Sequence, residues 1–569
     1  MTSALPLNIG VTGHRDIPSK DRPKLEAAIT AELIAMQKRY PHTSINVLCG
    51  LAEGADQLVA KIALKLDFKV IAVLPFEPQE YEKDFETPQT LADFRGLLAQ
   101  CSQVKVCLPH DNSPRDEGYA ELGRTLVSCS DIMFALWDGE IEIDHKNGTN
   151  NALSGGTADV VNMCVEGVMD ESSLLLSKPN QTYCKWLVTN RDKHLSLPNN
   201  IRSQDDVAKW KTLPIAGNQD DAVLRDILDK IERFNLNALG ISQQDKDQSI
   251  SYLLGSIEAK NRFAPIRQLI DIYSLADCLA QTRQKQRTNS LKFITILSFM
   301  AIAAQQVYVG LHATFGWFIT HFFLVLMVIL IYRLFFAGAK SKEAEFVEWR
   351  VFAENLRVQI FWHIAGISDQ CANNYRTTKL NEMDWIVDNL NKLSLTIKAP
   401  TESDVAFVKT NWITDQRDYF YGRQGKSGRA AQLMSKAKQY KKCSLIFFIL
   451  ALLGMLFSML KIELKLLPIL PDAVLFIIIA LLFIGSALFK TFSEQMGYEE
   501  LSLRYLRTGY FFQQALNRMN WLDKQNAGIS HSPIRKYQTV IKVIGVEALS
   551  ENAAWLQLHK MNAYQVQIN

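Results

Sequence analysis

Short apolar stretches alternate with helical patterns over the first part of the chain. Five stretches of mainly apolar residues are typical of buried strands: residues 7–11, 45–48, 70–74, 104–108 and 132–137. Helices are predicted between them at residues 22–39, 55–66, 91–100 and 118–128. This alternation predicts an α/β domain, a doubly wound parallel sheet with helices on both faces. Ligands of such sheets bind beyond the carboxyl ends of the strands.

Four much longer apolar runs occupy the second half of the chain, at residues 291–309, 315–336, 443–460 and 473–489. Each approaches the roughly 20 residues that a helix needs to cross a ~30 Å hydrocarbon core. A short loop separates the members of each pair, so we predict two hairpins and four transmembrane helices. The runs contain few polar side chains, which argues against a transporter site. Four spans alone enclose no wide channel, so any pore requires an oligomer.

The two patterns divide the chain into six segments. They are an α/β domain at residues 1–195, a connector with amphipathic helices at 196–290, a first hairpin at 291–336, a cytoplasmic helical region at 337–442, a second hairpin at 443–489 and a C-terminal cytoplasmic helical region at 490–569. One helix is predicted at residues 250–287, running directly into the first span, and helices at 343–365 and 493–520 extend the two hairpins. A continuous helix would transmit motion into the bilayer, and a passive stalk is the alternative.

The distribution of charge predicts an orientation. Lys and Arg number 62 and Asp and Glu 59, and a net charge of +3 gives no reason to expect a nucleic-acid partner. Basic residues gather before the first and third spans, whereas the loop at residues 310–316 has none. By the positive-inside rule, both termini and the large soluble regions face the cytoplasm of a multi-pass inner-membrane protein. No signal peptide is expected, and the nine cysteines show no paired CxxC spacing, so no metal site is predicted.

Glycine-rich polar turns follow the predicted strands. GVTGHR at residues 10–15 follows the first, CGLAEGAD at 49–56 the second and WDG at 137–139 the fifth, while SGGTAD at 154–159 precedes a further helix. Glycines let backbone N–H groups approach an anion, and helix N-termini favour negative charge. Because these turns share one edge of the sheet, they predict a site for a phosphate-bearing ligand.

Side chains in these turns suit a nucleotide. His14, Arg15 and Arg124 can donate to phosphate, while Glu53, Asp56 or Asp138 can accept from ribose hydroxyls. The predicted ligand-binding residues are Gly10, Thr12, Gly13, His14, Arg15, Gly50, Glu53, Gly54, Asp56, Arg124, Asp138, Gly155, Gly156 and Thr157. No catalytic residue is assigned. Each turn alone has a structural alternative, since glycines shape turns and acidic residues cap helices.

The ordered set of motifs resembles the SLOG superfamily. Its elements here are GVTGHR, LAEGAD, LPF at residues 74–76 with YEKDF at 81–85, the Gly123-Arg124 pair, WDG and GGTAD, over about the first 190 residues. That group contains Rossmann-like domains related to DprA DNA-processing proteins, LOG nucleotide phosphoribohydrolases and the ligand-sensing region of TRPM channels. The resemblance implies recognition of a nucleotide or NAD-derived ligand. The sequence pattern of the LOG enzymes resembles PGGxGTxxE. Here Gly155-Gly156 runs directly into Thr157, and Asp159 replaces the glutamate.

The repeated layout of a hairpin followed by a helix resembles the SLATT group of two-span effectors in prokaryotic conflict systems. Together the resemblances imply an antiviral membrane effector that limits phage. A nucleotide-derived second messenger, a cyclic nucleotide or ADP-ribose derivative made by a separate enzyme, would activate it and open an oligomeric pore or disrupt the membrane. The implied partners are this activator, the lipid bilayer and further copies of the chain, with no other cofactor. Alternatives are a membrane-tethered hydrolase of nucleotides or NAD, using Glu53, Asp138 or Asp159, and a structural scaffold.

Overall fold

The computed structural model describes residues 5–108, 114–140, 155–168, 182–192, 206–213, 221–331, 339–374, 384–393, 399–423, 425–463, 471–526 and 534–565. The N-terminal part forms a seven-stranded sheet with strand order β4-β3-β2-β1-β5-β6-β7. The strands are β1 (Leu7–Gly13), β2 (Ile45–Cys49), β3 (Lys69–Leu74), β4 (Gln103–Val106), β5 (Ile132–Trp137), β6 (Tyr183–Val188) and β7 (Trp210–Thr212). The first six are parallel, and β7 pairs antiparallel with β6. The predicted α/β sheet is confirmed.

Helices cover both faces of this sheet. They are α1 (Arg22–Arg39), α2 (Ala55–Lys65), α3 (Pro78–Tyr81), α4 (Pro88–Leu98), α5 (Arg115–Cys129) and α6 (Thr157–Glu166). Successive strand residues point to opposite faces, so Val47 joins the core beneath α1 and α2 while Leu48 joins the core beneath α5 and α6. The sheet extends beyond residue 195, because the short edge strand β7 lies in the stretch expected to be a connector.

The remaining described chain is mostly helical. Its elements are α7 (Asp221–Ala238), α8 (Gln243–Leu254), α9 (Ala259–Arg262), α10 (Arg267–Ile331), α11 (Ala339–Ile364), α12 (Asp384–Leu393), α13 (Glu402–Val408), a π-helical turn (Lys409–Thr414), α14 (Asp415–Tyr421), a small hairpin of β8 (Gly422–Arg423) and β9 (Lys426–Ser427), α15 (Arg429–Glu463), α16 (Asp472–Gln495), α17 (Tyr498–Asn526) and α18 (Ile534–Gln565).

Two helices predicted to be continuous are interrupted. The helix expected at residues 250–287 ends at Leu254, where Gly255 has a φ of 81°, and α10 begins only after Pro265. The helix expected at residues 493–520 is divided by Gly497, which has a φ of 61°. A positive φ favours glycine and ends a helix. The break at Gly497 lies close to the end of the predicted fourth span. The earlier break lies well before the first span, because α10 runs unbroken from Arg267 into it.

The first pair of predicted spans lies largely within α10. Helical backbone continues from Arg267 to Ile331, yet Leu326 packs in one cluster with Leu297, Ala301 and Ala304. A straight helix would separate Ala304 from Leu326 by about 33 Å, at about 1.5 Å per residue. The chain therefore turns back on itself within α10, and its two halves lie side by side. The predicted second span also includes residues 332–336, which lie outside the described residues.

The second hairpin consists of α15 and α16. Ser444 and Ser486 exchange hydrogen bonds between these helices, since each hydroxyl donates to the other residue's carbonyl oxygen, at 2.9 and 2.8 Å. Gly485 brings the helices close, because a Cβ atom there would lie 2.7 Å from the Phe447 ring. Small residues commonly allow such approach between membrane helices.

Three helical segments among the described residues are long and apolar enough to span a membrane: Ala264–Val307, Arg429–Leu460 and Asp472–Gln525. Three such segments are identified, compared with the four spans predicted. Only 17%, 11% and 22% of their most apolar windows are buried inside the protein. Large exposed apolar surfaces of this kind mark contact with a membrane or another protein, which is consistent with a membrane protein.

The amino-terminal edge of the sheet is fastened to the helical region. Lys392 of α12 forms a buried ion pair with Asp131, and the two side chains are 2% and 1% exposed. The side chain of Asn235 in α7 accepts from the Leu5 backbone N–H at 2.9 Å and donates to the Leu5 carbonyl oxygen at 2.8 Å. Glu232 of the same helix accepts from the Thr43 hydroxyl at 2.6 Å. These bonds leave the carboxyl ends of the strands on the opposite, outward edge.

Candidate functional site

The sheet order reverses between β1 and β5. β1 pairs with β2 on one side and β5 on the other, and Gly13 is in register with Leu136. Connections leave the two strands in opposite directions at this switch point, which opens a crevice beyond their carboxyl ends. His14 and Arg15 follow β1 directly and Asp138 follows β5. The topology thus brings two of the predicted turns together.

His14 and Asp138 join the ends of β1 and β5. The Asp138 backbone N–H donates to His14 Nε2 at 3.0 Å, and the Asp138 carboxylate lies 3.1 Å from the same nitrogen. The residues are only 6% and 3% exposed. Burial raises the pKa of the Asp138 carboxyl, but the nearby His14 ring, the Glu140 backbone N–H and Arg191 together outweigh it, and the net pKa lies below the usual value. This pair orders the floor of the crevice.

Arg15 lies at the rim of the crevice. Its guanidinium donates to the Tyr119 hydroxyl at 3.1 Å and to the Asp84 carbonyl oxygen at 3.4 Å. The Tyr119 hydroxyl in turn donates to the Asp84 carboxylate at 2.5 Å. Arg115, in the first turn of α5, pairs with the same carboxylate and with Glu80 at 2.9 Å. Two guanidinium groups and an aromatic ring therefore share the edge, the set of groups that recognises phosphate and stacks on a base.

Tyr81 places a buried hydroxyl behind this rim. The residue is 1% exposed, and its hydroxyl has no hydrogen-bond partner among the described residues. Edge-to-face contacts with Phe94 and Tyr119 hold the ring at centroid distances of 5.5 and 6.4 Å. Burial raises the pKa of this hydroxyl well above its usual value, so it stays protonated. A buried unpaired hydroxyl is costly, and a ligand oxygen or a water would satisfy it.

Asp56, in the first turn of α2, folds back onto the β2–α2 turn. Its carboxylate accepts from the Ala52 backbone N–H at 3.4 Å, and a Cβ at Gly50 would lie 3.1 Å from the same oxygen. Burial raises the pKa of Asp56 to about 7, against the lowering effects of the Ala52 and Gly50 N–H groups and of Arg15. The carboxyl thus shapes the turn from inside and changes charge near neutral pH.

The pH dependence of stability is expected to change in the Asp56→Asn variant. The aspartate pKa is about 3.9 in unfolded chains and about 7 here, so the folded state favours the proton. Protonation of Asp56 therefore contributes up to about 4 kcal/mol to the free energy of unfolding. This contribution is fully present below about pH 4 and is lost as pH rises through about 7. Thermal unfolding of the detergent-solubilised chain should show a smaller loss of stability over this range in the variant. Parallel pH profiles for the two proteins would contradict the prediction.

The glycines of the first two turns allow close packing. Gly54 has a φ of 79°, and a Cβ there would lie 2.4 Å from the His14 and Arg15 carbonyl oxygens. The Ala55 backbone N–H donates to the His14 carbonyl oxygen at 3.0 Å. Gly13 and Thr12 end β1 at the crevice, whereas Gly10 lies further back in the strand against Ser130 and Met133. The first and second predicted turns are therefore in direct contact.

The fourth predicted turn reaches the same edge. Gly155, with a φ of 73°, packs against Tyr119, because a Cβ there would lie 2.5 Å from the Tyr119 backbone carbon. Gly156 and Thr157 then begin α6, and Asp159 accepts from the Gly155 backbone N–H at 2.8 Å. The positive end of the α6 dipole therefore lies next to the ring that contacts Arg15.

Two of the predicted ligand-binding residues, Arg124 and Glu53, bond to other protein groups. Arg124 pairs with Glu121 on its own helix at 3.1 Å, on an exposed face, more than two turns beyond the start of α5. Glu53 accepts from the Glu86 backbone N–H at 3.1 Å and from the Thr90 hydroxyl, which attaches it to the start of α4. The structure does not bring Arg124 to the crevice, and it uses Glu53 to position a neighbouring loop.

The prediction missed Arg115 and Tyr119 and gave Tyr81 and Asp84 no role of their own. Arg115 and Tyr119 are spaced i, i+4 in the first turns of a crossover helix, which starts at the carboxyl edge of a parallel sheet. Their position at the start of this helix could have identified both residues as candidates from the sequence. No group of three His, Cys, Asp or Glu side chains in the described ranges could hold a metal ion.

A second polar centre lies between α8, α10, α11 and α14. Arg357 of α11 is 7% exposed and donates to the Tyr273 hydroxyl of α10 at 2.8 Å. Glu354 pairs with Arg357 at 3.0 Å and with Arg350 at 2.5 Å. Burial raises the pKa of Glu354, but the two arginines outweigh it and hold the pKa below its usual value. Asp277 of α10 lies 3.9 Å from Arg350.

Aromatic side chains connect this centre to the helices that hold the sheet. Phe352 of α11 contacts Phe234 of α7 and Trp385 of α12, at centroid distances of 5.8 and 5.4 Å. The same two helices carry Asn235 and Lys392, which bond to the amino edge of the sheet. A packed path therefore runs from the sheet to α11, which lies against α10 where Arg283 and Glu345 pair at 2.8 Å.

Comparison of the sequence with protein-family models gives no match, and comparison with curated proteins gives none either.

Proposed function

We propose that this chain is a membrane sensor in which the α/β domain binds a nucleotide-derived ligand and the helical hairpins respond in the bilayer. The observation that carries the proposal is the arrangement of the sheet. Its outward edge holds a crevice with Arg15, Tyr81 and Tyr119, and its opposite edge is fastened by Lys392 and Asn235 to helices that pack against the membrane-length region.

The crevice suits a ligand with phosphate and a base or ribose. Arg15 and Arg115 offer charge-assisted hydrogen bonds to phosphate, and the start of α6 adds backbone N–H groups. The Tyr119 ring offers a stacking surface, and the unpaired Tyr81 hydroxyl offers a hydrogen bond. ADP-ribose derivatives and cyclic nucleotides combine these features.

Binding without hydrolysis is favoured by the state of the carboxylates. Glu53 and Asp159 are held by backbone N–H groups, and Asp138 is buried against His14. Each carboxylate proposed for glycosidic cleavage therefore has a structural role. Incubation with NAD, ADP-ribose and nucleoside monophosphates is expected to leave the ligands intact. Release of free base, absent in an Asp138→Asn variant, would support the hydrolase instead.

The physiological setting follows from the family resemblances. We propose that a messenger-producing enzyme supplies the ligand during phage infection, and that bound chains assemble in the inner membrane and open a pore or disrupt it. About 100-fold tighter binding to the open state shifts the equilibrium by about 2.7 kcal/mol. A folded chain that binds no nucleotide would instead be a scaffold.

Replacing Arg15 with alanine is expected to weaken ligand binding at least tenfold without unfolding the domain. The guanidinium is exposed and contributes charge-assisted hydrogen bonds of about 1.5–3 kcal/mol to a phosphate. Calorimetry of the full chain against cyclic oligonucleotides and ADP-ribose derivatives measures the change. The matched control is Arg124→Ala, an exposed arginine of the same domain away from the crevice. Equal affinity of the wild type and the Arg15 variant would remove Arg15 from the site.

A further inference from the structure

A belt of unpaired lysines surrounds the base of the second hairpin. Lys436, Lys438, Lys441 and Lys442 lie in the two turns of α15 before its apolar run, and Lys490 directly follows the apolar run of α16. All five are exposed. No ion pair or side-chain hydrogen bond to any of them exists within the described part of the chain. Charges left unpaired at one level of a helix pair are available to a partner.

Helical periodicity places the lysines outside the packed face of α15. Leu433, Ala437 and Tyr440, at positions i, i+4 and i+7, face the neighbouring helices. At about 100° per residue, Lys438 and Lys442 lie opposite that face. Lys441 and Lys436 lie at the two borders of the packed face, each about 70° from its centre, and both are exposed.

The belt lies at the level where the apolar surface ends. Ser444 bonds to Ser486 across the hairpin, which sets Lys442 level with the residues just before Lys490. Tyr440 contacts Phe489 at 6.2 Å and stacks on Tyr498 at 5.8 Å, so aromatic rings occupy the same level. Aromatic belts of this kind mark the membrane interface.

The surfaces on either side of the belt differ in character. Leu445, Ile446 and Phe448 begin within two turns of Lys442 and are 57%, 44% and 43% exposed. On the cytoplasmic side of Lys490, the next acidic side chain along the helix is Glu494, one turn away. The lysines thus separate a surface suited to acyl chains from a polar one.

From this arrangement we infer that the lysine belt at the base of the α15–α16 hairpin is a binding site for the headgroups of anionic phospholipids. Each lysine near an anionic leaflet is attracted by the negative surface potential of that leaflet, and the exposed apolar side chains beside the belt bind the acyl chains of the same lipid. The site would make the hairpin selective for a negatively charged leaflet. The inference rests on the membrane insertion included in the proposed function and is independent of nucleotide binding.

Spin-labelled lipids test this site on the full chain in reconstituted bilayers. Electron paramagnetic resonance measures the association of phosphatidylglycerol relative to phosphatidylcholine at the protein surface. The wild type is expected to prefer phosphatidylglycerol about fivefold or more at low salt. A variant with Lys438, Lys441, Lys442 and Lys490 replaced by glutamine should bind the two lipids almost equally. Inorganic phosphate should displace no more lipid than chloride at equal ionic strength.

The matched control replaces four exposed lysines of the α/β domain with glutamine: Lys20, Lys24, Lys38 and Lys65. It should keep the wild-type lipid preference. An unchanged preference in the belt variant would overturn the lysine site while leaving membrane insertion intact. Absence of motionally restricted lipid in both proteins would overturn insertion itself, and the lipid site with it. Loss of nucleotide binding alone would affect neither result.

Discussion

Replacing Lys392 with methionine is expected to destabilise the folded chain by about 3–5 kcal/mol. Lys392 is 2% exposed. Among the described residues, its removal leaves the buried Asp131 carboxylate with the Asn8 backbone N–H as its remaining donor, at 2.8 Å. An uncompensated buried charge is strongly destabilising. Chemical denaturation of the solubilised chain measures the free energy, and hydrogen exchange in peptides from β1 and α12 locates the change.

Two further variants show whether the unpaired Asp131 charge causes the loss of stability. Lys209→Met removes a surface partner of Asp206 at 3.3 Å, where the lysine is 59% exposed, and should cost less than about 1 kcal/mol. The double variant Asp131→Asn with Lys392→Met removes both charges and should recover much of the loss. Equal destabilisation by the Lys392 and Lys209 variants would show that the buried pair does not hold the sheet to the helices.

Replacing Glu354 with glutamine is expected to destabilise the contact between α10 and α11 by about 3 kcal/mol. Glu354 lies between Arg350 and Arg357, at 2.5 and 3.0 Å, and a neutral amide would leave the two guanidinium groups to repel each other. Because the pKa of Glu354 is held below its usual value, its stabilising effect is present above about pH 4.3 and is lost as pH falls. Hydrogen exchange in α11 measures the opening of this contact.

Functional measurements distinguish the Glu354→Gln variant from variants of the crevice residues such as Arg15→Ala. Nucleotide affinity should stay within about twofold of wild type, because the α/β domain is unchanged, whereas the membrane response should change. Glu121→Gln is the control, since it removes an exposed pair with Arg124. A stable α10–α11 contact in the Glu354 variant would contradict the role assigned to the buried centre.

The sheet was predictable because its signal is local. The bounds of α1 and β5 agree with the prediction at both ends, since apolar periodicity and turn residues define them. β7 has only three residues, and pairing with Trp186 and Leu187 defines it more than its own sequence does. The break after Leu254 could have been inferred from Gly255 and Pro265, but apolar periodicity on both sides concealed it.

The candidate site was predictable only in part. Turns after strands place Arg15 and Asp138 at one edge by topology alone. The bonds among Arg15, Asp84 and Tyr119 join residues 69 and 104 positions apart, and no periodicity reports such pairs. The Lys392–Asp131 pair spans 261 positions. Long-range polar contacts depend on how distant segments of the chain pack together, so sequence patterns left them unassigned.

The most direct measurement is the permeability of proteoliposomes containing the full chain, recorded while nucleotide binding is measured in the same preparation. The account predicts that the ligand which binds the wild type collapses an imposed membrane potential, and that the Arg15→Ala chain, equally incorporated, binds weakly and keeps the potential. Confirmed binding of that ligand to the wild-type chain with an unchanged membrane potential would contradict the account.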